Sequence, residues 1–229
     1  MSATRKASLV VPAAARHTAT VIFAHGLGDT GHGWRPIVEN WRRRQRLDHV
    51  KFVLPHAPMK SITANMGMPM PGWFDIVELS GSIESLQRSE DERGILESRT
   101  YFHQLIQEEI DAGIPADRIV LGGFSQGGAM SIFAGLSASV KLAGIVGLSS
   151  WLLLGQQFKD RATEENKATP MLMCHGTMDP LVAPQLAQMS FQVLQGLGYD
   201  IKMKTYPIAH SACPEELDDV EEFLKERLP

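Results

Sequence analysis

The chain of 229 residues is poor in several things, and each shortage excludes a class of protein. It has two cysteines, Cys174 and Cys213, too few for a scaffold built on disulfides. Their scarcity points, weakly, to a reducing compartment. No apolar run is long enough to cross a bilayer. The N-terminus lacks the apolar core of a secretory signal. Residue 2 is serine rather than glycine, and no C-terminal prenylation box exists, so no lipid anchor is expected. The expected location is the cytoplasm, with the nucleus in addition, and contact with membranes is expected to be transient. Neither sign of charge dominates. The 22 Lys+Arg and 26 Asp+Glu leave a net charge of -4, which argues against a nucleic-acid-binding surface. The single basic cluster, Trp41-Arg42-Arg43-Arg44-Gln45-Arg46, reads as a solvated helix face, and a patch for anionic membrane is the second reading. Internal repeats, low-complexity tracts and domain linkers are missing too.

Hydrophobic residues make up 44% of the chain, enough for a sizeable core, and the expectation is one domain over residues 1–229. Short apolar runs predict strands at 20–24, 50–54, 118–122, 143–148, 170–174 and 200–206, with an early strand near 8–11. Runs of this kind suit strands buried on both faces. Between them, Phe102, Leu105, Ile106 and Ile110 share a helical face, as do Leu186, Met189, Val193 and Leu197, and then Leu217, Val220, Leu224 and Leu228. The fold class is α/β, a mostly parallel sheet with helices on both faces.

Gly123-Phe124-Ser125-Gln126-Gly127 stands between the strand-like Ile119-Val120-Leu121 and a helical Gly128–Ala134. A G-x-S-x-G in that context is the nucleophile elbow of an α/β-hydrolase. The turn is tight, the serine is strained, and side chains two positions either side would meet neighbouring backbone. In this fold the acid follows the serine and the histidine comes last. His175 and His210 follow Ser125. Asp160, Glu164 and Glu165 lie in a polar stretch, and Asp200 precedes a strand, at the wrong sheet edge. Asp179 follows the strand-like Met171-Leu172-Met173-Cys174, at the carboxyl edge where ligands gather. His210 follows the last strand. The expected triad is Ser125, Asp179 and His210, acting as nucleophile, orienting acid and general base. One oxyanion donor is expected from the backbone N–H of Gln126. The second is expected from Leu27, in the glycine-containing loop after strand 20–24. His25 and His32 are not accompanied by carboxylates or cysteines at ligand spacing, so no metal site is expected.

Residues 55–94 break the alternation. Pro55-His56-Ala57-Pro58 and Met66-Gly67-Met68-Pro69-Met70-Pro71-Gly72-Trp73-Phe74-Asp75 prevent a long regular element. The stretch is too apolar for a linker. Met66, Met68, Met70 and Trp73 either line a groove for a flexible acyl chain or pack the excursion onto the body. Ser89-Glu90-Asp91-Glu92-Arg93 reads as solvated surface. Cys174 and Cys213 lie near the expected catalytic loops, where their oxidation would affect activity, although burial is the default for a free cysteine.

Several segments together resemble acyl-protein thioesterases of the phospholipase/carboxylesterase family. They are His25-Gly26-Leu27-Gly28-Asp29, Pro55-His56-Ala57-Pro58, Gly72-Trp73-Phe74-Asp75, Gly122–Met130, Leu148-Ser149-Ser150-Trp151-Leu152 and His175-Gly176-Thr177-Met178-Asp179-Pro180-Leu181-Val182. The Ala112-Gly113-Ile114-Pro115 and Cys213-Pro214-Glu215-Glu216 regions are similar to the fungal members. The resemblance spans nearly the whole chain. It implies removal of palmitoyl groups from cysteine thioesters of proteins, with G-protein α subunits and Ras-like proteins as clients. It also implies weaker action on lysophospholipids and small esters, and no cofactor. The loop near Leu27 would give the oxyanion donor, and Trp151 and Leu152 would join the Met-rich excursion along the acyl channel. The chain departs from the family in Tyr206-Pro207-Ile208-Ala209-His210, about one residue shorter before the histidine and without glycine.

A thioester and an oxygen ester pass through the same acyl-enzyme. A general carboxylesterase or lysophospholipase is therefore the alternative, and a non-catalytic hydrolase-fold receptor is a third. An apolar patch around the groove would also support a weak homodimer.

Overall fold

The computed structural model describes residues 6–78, 90–155 and 157–229. Strands β1 (Leu9–Val11), β2 (Ala19–Ala24) and β3 (Val50–Leu54) are followed by a small pair, β4 (Met59–Ser61) and β5 (Pro69–Pro71). Then come β6 (Ile119–Phe124), β7 (Gly144–Leu148), β8 (Met171–Gly176) and β9 (Ile201–Tyr206). The main sheet has the order β1-β3-β2-β6-β7-β8-β9, while β4 and β5 pair with each other. Only the β1–β3 pairing in the main sheet is antiparallel. All the parallel strands therefore point their carboxyl ends to one edge, which is where the site is built.

Both faces of the sheet are covered. All six residues of β2 are buried, as a central strand between two cores requires. Ile22 and Ala24 enter one core, and Val21 and Phe23 enter the other. The first core is closed by α2 (Glu92–Asp111), α3 (Gln126–Leu136) and α4 (Pro184–Gly196), through Phe102, Ile132, Phe133, Ala187 and Leu194. The second is closed by α1 (Gly31–Arg43) and α5 (Pro214–Arg227), through Trp34, Val38, Trp41, Val220 and Leu224. The expected faces of α2 and α5 supply these contacts, but in α4 the buried face is Leu186, Ala187, Ser190 and Leu194, and the expected Val193 is 38% exposed.

Three other expectations need correction. The basic cluster is only partly a solvated face. Trp41 is buried, and Arg44 and Arg46 form ion pairs with Asp218, Glu221 and Glu222 of α5, so these two guanidiniums tie α1 to α5. The irregular excursion is shorter than 55–94. It contains the β4–β5 pair, and α2 starts at Glu92, where Asp91 caps the Gly94 N–H at 2.9 Å. The acidic stretch is not simply surface. Glu90 accepts from the Leu154 N–H, Asp91 also accepts from the Asp75 N–H, and Glu92 pairs with Arg161. Arg93 alone of the four described residues is fully outward, and Ser89 lies outside the described residues.

Candidate active site

Ser125 sits between β6 and α3 with φ 53° and ψ −122°, a conformation that costs an L-residue on the order of 1–3 kcal/mol. The surrounding glycines make it attainable. A Cβ on Gly123 would lie 2.5 Å from the Gly127 carbonyl oxygen, and one on Gly127 would lie 2.4 Å from the carbonyl oxygens of both Ala24 and His25. Each contact is with backbone that cannot step aside. The Ser125 N–H donates to the Leu148 carbonyl at 2.7 Å, which anchors the turn to β7.

Asp179 and His210 reach Ser125 from neighbouring strands. Asp179 follows β8, and its side chain is wholly buried. Its Oδ1 accepts from the N–H groups of Leu181 and Val182, both at 2.9 Å, and its Oδ2 faces His210 Nδ1 at 2.7 Å. His210 Nε2 lies 2.8 Å from Ser125 Oγ. A carboxylate accepts only, so His210 Nδ1 carries the hydrogen, and Nε2 is left to accept from the serine hydroxyl. The short 207–210 connection makes this reach by lying flat on β8. A Cβ at Gly176 would come within 2.3 Å of the Ile208 carbonyl oxygen and 2.5 Å of that of Ala209. The Thr177 and Met178 N–H groups donate to Tyr206 and Ile208, fastening the loop to the same turn that presents Asp179. Close backbone packing thus brings the short connection to the site.

Two other histidines support the site. His175 Nε2 donates to the Val182 carbonyl at 2.9 Å and lies 3.5 Å from Asp179 Oδ2. Among the described residues its buried Nδ1 has no partner, and burial lowers its pKa, which favours the neutral ring. His25 is fully buried. Its Nδ1 donates to the Gly26 carbonyl at 2.7 Å and its Nε2 accepts from the Ala57 N–H at 3.0 Å. Both nitrogens are therefore used in shaping the loop that carries Leu27. Among the described residues, no group of three or more His, Cys, Asp or Glu is arranged to hold a metal ion.

Leu27 and Gln126 both lie at the elbow. Gly26 packs so near it that an added Cβ would be 3.2 Å from Ser125 Cβ. Gln126 is the first residue of α3, where the backbone N–H has no partner within the helix. Among the described residues neither the Leu27 nor the Gln126 N–H has a hydrogen-bond acceptor. The Gln126 side chain has a separate task. Its Oε1 accepts from the Trp73 N–H at 2.8 Å and its Nε2 donates to the Phe74 carbonyl at 2.7 Å, stitching the excursion to the elbow.

Of the six residues expected to line a groove, the structure keeps Trp151 there. An apolar cleft is walled by Phe74, Ile76, Val77, Trp151, Leu181 and Val182. Phe74 is held by Gln126, the residue after Ser125, and Val182 by Asp179, so two of its walls are tied to the segments that carry the triad. Trp73 is wholly buried instead. Its Nε1 donates to the His25 carbonyl at 2.8 Å, and its ring packs edge-on to Phe102. Leu152 is also core, with its N–H bound to Ser190 Oγ. Met66 and Met68 project from the β4–β5 turn, 86% and 48% exposed, and Met70 is half-buried against the body. Phe74, Ile76, Leu181 and Val182 were missed as lining. The available signal was position, because Leu181-Val182 directly follow Asp179-Pro180 at the catalytic edge.

Cys174 lies in β8, and burial pushes its thiol up to about 12. Cys213 is half-buried at the start of α5, and both are free.

Residues 5–228 match the family model described as phospholipase/carboxylesterase. An acyl-protein thioesterase 1 of Gibberella zeae is 61% identical over 232 residues, covering 100% of this chain and 99% of that one. An acyl-protein thioesterase 1 of Neurospora crassa is 62% identical, covering 100% and 94%. Among solved structures, the acyl-protein thioesterase 2 of Zea mays superposes with a TM-score of 0.83 at 29% identity, over 97% of this chain and 99% of that one.

Proposed function

This chain belongs to the phospholipase/carboxylesterase family, and from that premise we propose that it is a serine hydrolase that cleaves acyl thioesters from S-acylated proteins. The observation that carries the reading is His210 bridging Ser125 Oγ at 2.8 Å and Asp179 Oδ2 at 2.7 Å.

The reaction follows from those contacts. Ser125 Oγ attacks the thioester carbonyl carbon while its proton passes to His210 Nε2. Asp179, held by two backbone N–H groups, stabilises the imidazolium so formed. The oxyanion is received by the N–H groups of Leu27 and Gln126. The C–S bond breaks, and the cysteine thiol leaves with the proton from His210. Water then attacks the Ser125 ester, with His210 again as base, and releases the carboxylic acid and the free serine.

The acyl chain lies in the cleft walled by Phe74, Ile76, Val77 and Trp151, whose apolar surface suits a palmitoyl tail. G-protein α subunits and Ras-like proteins are the proposed clients. The outward Met66 and Met68, with Met59 on the same β4–β5 pair, supply an apolar tip for transient membrane contact. The test compares hydrolysis of an S-palmitoylated peptide with that of lysophosphatidylcholine, for the native protein and for Ser125→Ala. The reading predicts faster cleavage of the thioester and loss of both activities in the variant. Preference for the lysophospholipid would shift the assignment to lipid metabolism. Turnover surviving in Ser125→Ala would overturn the mechanism.

A further inference from the structure

Glu90 takes no part in the reaction proposed above, yet it lies in the lining of the same cleft as Phe74, Ile76 and Trp151. The lining has two other acids among the described residues. Asp75 turns its carboxylate to the N–H and hydroxyl of Thr63, at 2.7 and 2.6 Å, and Glu78 is exposed. Glu90 is half-buried and points at a single backbone donor. Its two oxygens converge on one donor, the Leu154 N–H, at 3.0 and 3.1 Å. Leu154 has φ 51°, so the contact holds a left-handed turn just after Trp151.

Resting on the acyl-thioesterase reading, we propose that Glu90 is a specificity-determining residue: its carboxyl group is the polar stop of the acyl cleft, and its charge sets how long a chain binds well. An alkyl chain that runs past Trp151 must take water from this carboxylate. Water loss penalises the charged form, so long-chain binding and ionisation of Glu90 oppose each other. Burial already raises the group to about 7, opposed only by the Leu154 N–H. Among the described residues, the charged side chains around it are Asp75 and Glu78 in the cleft, Asp91 and Glu92 on its own segment, and Arg161, which is taken by Glu92. Asp179 lies behind Val182, and α4 carries no titratable side chain from Pro184 to Gly196. None of these shifts Glu90, so its charge responds to pH and to the chain itself. Long chains bind best at a pH where the carboxyl is neutral, and they lose affinity as pH rises and it ionises. A chain that stops short of Trp151 is indifferent.

The experiment measures binding of N-hexadecanoyl and N-octanoyl amides of one short peptide to Ser125→Ala protein, from pH 6 to 8.5, with and without Glu90→Gln. Glutamine keeps the shape and an acceptor for Leu154. With Glu90 present, the hexadecanoyl-to-octanoyl affinity ratio should fall about tenfold across this range, one pH unit of coupling being worth up to tenfold. With Glu90→Gln the ratio should stay constant. A ratio that falls equally in both proteins, or is flat in both while hexadecanoyl binds, overturns the role of Glu90 alone. No hexadecanoyl binding at any pH overturns the role of Glu90 and the cleft assignment together.

Discussion

Gly176→Ala leaves all three members of the Ser125, Asp179, His210 set in place and attacks only the packing that brings the last one home. The new methyl carbon would sit 2.3 Å from the Ile208 carbonyl oxygen and 2.5 Å from that of Ala209. Separation to 3.0 Å, still tight, requires a shift of about 0.7 Å, and both obstacles are backbone. The yielding part is the 207–210 loop, because the other side is a strand bonded to neighbours on both edges. His210 rides on that loop, and its Nε2 has a 2.8 Å contact to lose. A misplacement of roughly 1 Å costs about a hundredfold in rate, or about 2.7 kcal/mol of barrier. Overpacking of this kind costs about 1–3 kcal/mol of stability, a fall in Tm of roughly 2–12 °C for a chain of this size. The assay is kcat on a thioester beside the rate of Ser125 labelling by a fluorophosphonate, on protein shown to be folded by its melting curve. Both rates should fall by about two orders of magnitude. A folded variant with kcat within twofold of native would refute the argument that the flattened loop positions His210.

Other perturbations test different parts. Trp73→Phe removes the Nε1–H that satisfies the buried His25 carbonyl, so stability should drop by about 1–3 kcal/mol in a denaturant titration while Ser125 remains reactive. Glu216 is wholly buried, and desolvation raises it from 4.5 to about 7 against the opposing hydrogen bond from the Cys213 backbone. The folded state holds its proton more tightly than the unfolded one, so stability falls as pH rises from about 4.5 to about 7 and then levels. Glu216→Gln should therefore be more stable by about 3 kcal/mol at pH 8, with the gain vanishing below pH 4.5, read from unfolding free energies across pH. Cys174, pushed up to about 12, should resist alkylation at pH 8 in the folded protein and react on unfolding. Prompt native-state alkylation would contradict its burial.

The parallel sheet and the chemistry at its edge were legible because both write strong local patterns. Short apolar runs mark strands buried on two faces, and the order Ser125, Asp179, His210 with glycines around the serine leaves few arrangements. What was not legible depends on tertiary contacts. Trp73 and Phe74 are adjacent and both apolar, yet one points into the core and the other into the cleft. That choice is made by Gln126 and by the His25 carbonyl, which lie far off in sequence. Glu90 and Asp91 read as surface because acids usually are. Their partners, Leu154 and Asp75, come from distant turns. Arg44 and Arg46 read as solvated because nothing local announces the acids of α5, some 174 to 177 residues on. The short connection before His210 looked like a defect from sequence. The compensating feature, Gly176 beneath it, is visible only once β8 and β9 are paired.

The most direct measurement is rapid quenching of the protein during turnover of a hexadecanoyl thioester, followed by peptide mass mapping. An acyl group carried through the enzyme predicts a hexadecanoyl ester on the peptide containing Ser125, formed at a rate no slower than kcat. Thioester cleavage with that peptide unmodified at every time point would contradict the account.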